Sequence, residues 1–161
     1  MNFKKLAIPA LSLAVALSLA ACKPETPSEV QEDVAEARED ANTEVRDAQQ
    51  DANQTRLDAN QAVVEAEAER DINDRAAVAH DAAAVGDARA DATNENADAA
   101  YDVAIAKADG QRSVSRERCD GMEGANKDAC IAAAEAAFEA AKATAINTRD
   151  AARTAADRIG G

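Results

Sequence analysis

Between Ser28 and Arg118 the apolar positions recur every eleven residues. Val30, Ala41, Ala52 and Val63 form one series, Ala37, Ala48 and Ala59 a second, and Val34 and Val45 a third. Eleven residues over three turns is about 3.67 per turn, so such a stripe runs nearly straight along a helix. Around Asp71 to Arg75 the phase slips. A new set then begins with Ala66, Ala77, Ala88, Ala99 and Gly110, joined by Ala92, Val103 and Val114. Period-two alternation, the mark of a strand, is missing. Alanine, the best helix former, dominates the span; no proline interrupts it, and Gly86 and Gly110 are its glycines. Ser28-Glu29-Val30-Gln31 matches the capping-box pattern, with Ser28 as N-cap. The spacing predicts a long Ala-rich helix over 28–85 and a second part over 86–118. Run together they would approach ~135 Å at 1.5 Å per residue. An alanine stripe buries little area, so self-association through it, or fraying, is the expected consequence. Disorder is the alternative for so charged a span, with 91–98 its softest part.

The first residues follow another pattern. Lys4 and Lys5 precede an apolar stretch from Leu6 to Leu19, and small residues follow at Ala20-Ala21. This is the layout of a secretory signal over 1–21. The apolar run, about 16 residues with Ala20-Ala21 included and interrupted by Pro9, is short of the ~20 needed to span a bilayer. Leu19-Ala20-Ala21-Cys22 resembles the lipobox of bacterial lipoproteins. That resemblance implies cleavage before Cys22, a diacylglyceryl thioether on its sulfur and an acylated new amino terminus. It makes 22–27 a lipidated tether and the membrane a partner through the anchor. By resemblance to lipoprotein sorting in Gram-negative bacteria, the absence of Asp after Cys22, where Lys23 stands, favours an outer-membrane lipoprotein facing the periplasm over an inner-membrane one.

The whole chain carries a formal charge of −13 from 18 basic and 31 acidic residues. Removing Lys4 and Lys5 with the signal leaves 16 basic residues, a mature charge of −15. So acidic a surface repels phosphate backbones, which disfavours nucleic acid as a partner.

Lipidation also settles the cysteine count. With Cys22 consumed, Cys119 and Cys130 remain as a pair in an oxidising compartment, and a disulfide is expected. A zinc site fails on ligand number, since His80 is the one histidine and lies far off in sequence; no metal or cofactor is expected. Gly121 and Gly124 supply a turn over 119–130, and Asn126 can cap the helix that follows. Over 131–161 the period changes to seven: Ile131, Ala134, Phe138, Ala141, Ala145, Thr148, Ala152, Ala155 and Ile159 alternate by three and four. Folded antiparallel about the cysteines, the register sets Val114 by Ala134, Gly110 by Phe138, Val103 by Ala145 and Ala92 by Ala155. Gly110 is then expected either to make room for the Phe138 ring or to break the helix. The fold class is all-α: a long Ala-rich helix with an eleven-residue stripe, folded back into a disulfide-closed antiparallel hairpin.

Tyr101-Asp102-Val103-Ala104, Ala106-Lys107-Ala108, Glu117-Arg118-Cys119-Asp120, Gly124, Lys127-Asp128 and Cys130 together resemble a motif of uncharacterised exported proteins of proteobacteria. The likeness covers about residues 101 to 140, with Ala125-Asn126 in place of that motif's Asn-Ala. Some such proteins carry labels linking them to envelope biogenesis, but the family lends no firm activity. The first half resembles, more loosely, Ala-rich murein-type lipoproteins, which attach to peptidoglycan through a terminal lysine. This chain ends Arg158-Ile159-Gly160-Gly161, so that link is not expected.

Catalysis is not expected either: the histidine has no positioned Cys or Ser partner, no Gly-rich phosphate loop occurs, and large side chains to wall a pocket are few. The expectation is a lipid-anchored structural or interaction lipoprotein of the cell envelope. The alternative is a periplasmic binding or chaperone-like module whose acidic helices hold cationic clients.

Overall fold

Pro27 opens the first helix. Proline at the first helical position is harmless, because its missing N–H would have no intrahelical partner. In the computed structural model, which describes residues 25–72 and 78–160, Thr26 is the N-cap. The Glu29 N–H donates to Thr26 Oγ1 at 3.4 Å, and the Thr26 N–H donates to Glu29 Oε2 at 2.7 Å. This is a capping box two residues earlier than the Ser28–Gln31 one expected from sequence, and Pro27 belongs to the helix instead of the tether. The capping bonds hold the Glu29 carboxyl below its ordinary range, the backbone bond from Thr26 contributing most and its hydroxyl next.

The described residues form three helices: α1, Pro27–Ile72; α2, Val78–Asp120; and α3, Gly124–Gly160. The protein is all-helical, as the periodicity predicts. The two parts of the Ala-rich span do not run together into one rod. α1 ends where the eleven-residue phase slips, and α2 begins at Val78, not at 86. α2 then runs back antiparallel along α1: a Cβ on Gly121 would meet Val30, one on Gly110 would meet Ala41, and Arg89 reaches Glu67.

Both stripes are consumed in this contact. Val34, Ala37, Ala52 and Ala59 of α1 are buried, and Val30, Ala41, Val45, Ala48 and Val63 are half-buried. On α2, Ala92 and Gly110 are buried and Ala99, Val103 and Val114 half-buried. Two helices with the same eleven-residue period keep their seams matched over many turns, so the surface that sequence offered for self-association pairs within one chain. Small residues let the backbones come close, and close approach is where dispersion is strongest.

α3 takes another side of α2. The turn is made by Met122 N–H donating to Cys119 O at 2.9 Å and by Gly124 at φ 54°, a conformation that favours glycine. α3 starts at Gly124, so Asn126 lies within its first turn instead of capping it. Asp120 and Lys127 bridge the corner at 2.7 Å. Among the described residues α1 and α3 each pack on α2 and not on one another. At about 100° per residue, Cys119 and Tyr101, which face α3, stand half a turn round from Gly110, which faces α1. The three helices therefore form one layer with two open faces. No helix among the described residues is long and apolar enough to cross a membrane.

Candidate functional site: the two faces of the helical layer

Cys119 and Cys130 form the expected disulfide, with Cα atoms 5.6 Å apart. Cys119 is fully buried under the turn. The bond sets the axial level of α3, and contacts farther along keep it: Arg112 and Arg116 pair with Glu135, Arg153 pairs with Asp98 at 2.7 Å, and Gly86 lies by Ile159.

The level was legible in the sequence; the side of the helix was not. Phe138 lies beneath the Arg112 guanidinium, 4.3 Å from its ring centroid. Gly110 points the other way, toward α1: a Cβ built there would stand 2.5 Å from Ala41 Cβ. The expected packing of Gly110 against Phe138 is thus corrected. Nor does Gly110 break the helix, since α2 runs through it. α2 carries two eleven-residue stripes about half a turn apart. The one through Ala92 and Gly110 meets α1, and the one through Ala97, Ala108 and Cys119 meets α3, whose buried residues Ala134, Ala145 and Ala156 are also eleven apart; Ala155, expected beside Ala92, is exposed.

Cys22, the signal over 1–21 and Lys23 lie outside the described residues, as does the His80 side chain. Among the described residues no group of three His, Cys, Asp or Glu side chains is placed to hold a metal ion.

What sequence reading missed is the charge of the two faces. On α1, helical spacing puts Glu29, Asp33, Glu36, Asp40, Asp47, Asp51 and Asp58 on one side of the stripe, and Arg38, Asn42, Gln49, Asn53 and Arg56 on the other. On α2 the same spacing separates Asp91, Glu95, Asp98, Asp102, Asp109 and Asp120 from Thr93, Asn96, Ala100, Ala104, Lys107, Gln111 and Arg118. A helical wheel of either segment would have exposed this. Antiparallel packing then brings like sides together.

On the acidic face, Asp33, Glu36 and Asp40 of α1 gather with Ser113 and Glu117 of α2. The Glu117 carboxyl is pushed above its ordinary range, first by shielding from water, then by Asp120, Asp33 and Glu25; Arg116 opposes the shift.

The opposite face carries a trough that follows α2. One stretch, about 510 Å³, lies between all three helices; its floor includes Ala108, Val114, Ala134 and Phe138, and its charged lining residues are Arg38, Lys107, Arg112 and Arg118. A second stretch, about 720 Å³, continues between α2 and α3 over Ala97, Ala100, Tyr101, Ala104 and Ala145, with Lys107 and Arg149 as its charges. The two share Lys107, Ala108, Gln111 and Ala141, so they are continuous. No Asp or Glu is among the described residues that line either stretch. Arg112 and Arg149 lie over Phe138 and Tyr101, at 4.3 and 4.8 Å from the ring centroids. Arg149 also bonds Asp150, which raises its pKa further. In the trough lining the Asn96 amide oxygen is shielded and has no hydrogen-bond partner.

No family model matches the chain, and no curated protein or solved structure matches it.

Proposed function

We propose that the chain is a non-catalytic lipoprotein of the bacterial envelope, held at a membrane by acylated Cys22 and acting through the two faces of its helical layer. The observation that carries this reading is how close the lipobox stands to the folded part. The capping residue Thr26 comes only a few residues after Leu19-Ala20-Ala21-Cys22, so little tether separates anchor and layer. By resemblance to lipoprotein sorting, Lys23 after the cysteine favours the outer membrane, with the layer on the periplasmic side. Each lipid CH₂ buried contributes about 0.8 kcal/mol, so two or three acyl chains make the attachment nearly permanent.

The test is metabolic labelling with palmitate and membrane fractionation. The wild-type chain should label and partition into detergent; Cys22→Ser should do neither. Labelling that survives the substitution would remove the reading. A second reading, a holder of cationic clients, is favoured by the cluster of Asp33, Glu36, Asp40 and Glu117. Photocrosslinkers placed at Glu36 and at Gln111, on opposite faces, separate the two ideas: a holder should trap clients at Glu36, in a salt-sensitive way, and not at Gln111.

A further inference from the structure

Arg38, Lys107 and Arg118 are exposed, line the trough and make no ion pair or hydrogen bond among the described residues. In a chain with thirty-one acidic residues, the described lining of this apolar channel holds these three cations with Arg112 and Arg149 and no Asp or Glu. From this juxtaposition we infer that the trough binds a long-chain anionic amphiphile, its acyl chain along the alanine floor and its head group held by Lys107 and the arginines beside it.

Dimensions choose the occupant. The trough follows α2 from Thr93 to Arg118, roughly 37 Å at 1.5 Å per residue. Volumes of about 510 and 720 Å³ over that length make a narrow groove open along one side, and a polymethylene chain, whose carbons contact neighbours at about 4 Å, can follow it in continuous contact with the floor. Chemistry agrees with size. The floor is alanine and valine, and the two described aromatic rings, Tyr101 and Phe138, both lie in the lining. Such a surface offers apolar contact along its length and positive charge at its rim. A carboxylate or phosphate head would form charge-assisted hydrogen bonds there, and a neutral or cationic head would not. The inference stands on the trough alone and does not depend on acylation of Cys22.

The test uses residues 22–161 carrying Cys22→Ser, so that no lipid of its own competes, with hexadecanoate as the probe in titration calorimetry. Hexadecanoate should bind at one site and be displaced by hexadecyl phosphate. Hexadecanol should bind about ten-fold more weakly or worse, the size expected from losing one charge-assisted hydrogen bond. Lys107→Glu and Arg118→Glu, at exposed positions that leave the helices intact, should each weaken binding by about ten-fold. Arg153→Gln, away from the trough, should not. Ala104→Trp, which fills the channel, should abolish binding, with circular dichroism confirming an unchanged helix content. Equal affinity for hexadecanol, or indifference to both charge reversals, overturns the proposal. So does binding to phosphatidylglycerol vesicles without binding of monomeric hexadecanoate, which would make the membrane surface the occupant. A dimer in sedimentation that Ala104→Trp dissolves would assign the trough to a second copy and overturn it equally.

Discussion

α2 has two neighbours, and it holds them by different means. Against α1 it offers alanine, valine and glycine on an eleven-residue period, met by a stripe of the same period; no covalent bond joins the two helices. Against α3 the buried alanines Ala97 and Ala108 meet Ala134, Ala145 and Ala156, and to these are added a disulfide at one end, cations over aromatic rings in the middle, and the ion pairs of Arg112 and Arg116 with Glu135 and of Arg153 with Asp98. The first contact depends on what is missing from the side chains, and it loses if anything is added. The second also buries alanines along its length, and it adds an oxidised pair to them. Exposed ion pairs stabilise little, so on the α3 side the covalent bond carries much of the difference.

The sharpest way to break this comparison is reduction. Without the Cys119–Cys130 bond the α2–α3 hairpin should lose about 3 kcal/mol in the chain-entropy model. Amide exchange should rise far more in α3 than in α1. Equal loosening of both helices would mean that the two contacts form one cooperative unit.

Next in size is Gly110→Leu. Its side chain enters the α1 contact at Ala41, so the cost should be about 1–3 kcal/mol or more, and it should loosen α1 first. Even Gly110→Ala should destabilise, because Ala41 Cβ has no flexible end to move aside. A thermal melt that rises with either variant would show that the close approach is wrong.

A smaller effect sharpens the description of how α1 starts. Thr26→Ala removes one half of the capping box and should cost about 1 kcal/mol, whereas Ser28→Ala should cost little. Glu29 has a lowered folded pKa, so its share of the cap is present above the ordinary carboxylate range and is lost as pH falls through the folded value. The penalty of Thr26→Ala should therefore shrink in acid.

The least effect has the opposite sign. Glu117 has a raised folded pKa, so the native state binds its proton more readily than the unfolded chain does. Stability then falls as pH rises from the ordinary carboxylate value through the raised one. Glu117→Gln should raise the melting temperature slightly at neutral pH and not at all once carboxylates are protonated. A gain that persists in acid would point to packing instead of charge.

Much of this architecture is written in local sequence. Helicity follows from alanine content, the slip at Asp71 to Arg75 marks where α1 gives way to α2, and two cysteines about a glycine turn set the level of α3. These are properties of spacing, and spacing is visible in one dimension. A slip in phase does not say that the chain doubles back; the matching stripes become partners only when the backbones can touch, as they do at Ala41 and Gly110. A repeat also fixes which residues share a face, not which neighbour that face will meet. Hence Phe138 was placed at the right height beside α2 and on the wrong side of it. The trough lies one step further from the sequence, because its floor comes from α2 and its walls from segments as distant as Arg38 and Phe138. Its free cations are ordinary surface residues on each helix taken alone. Only antiparallel packing gathers them on one open face, while Asp33, Glu36, Asp40 and Glu117 gather on the other.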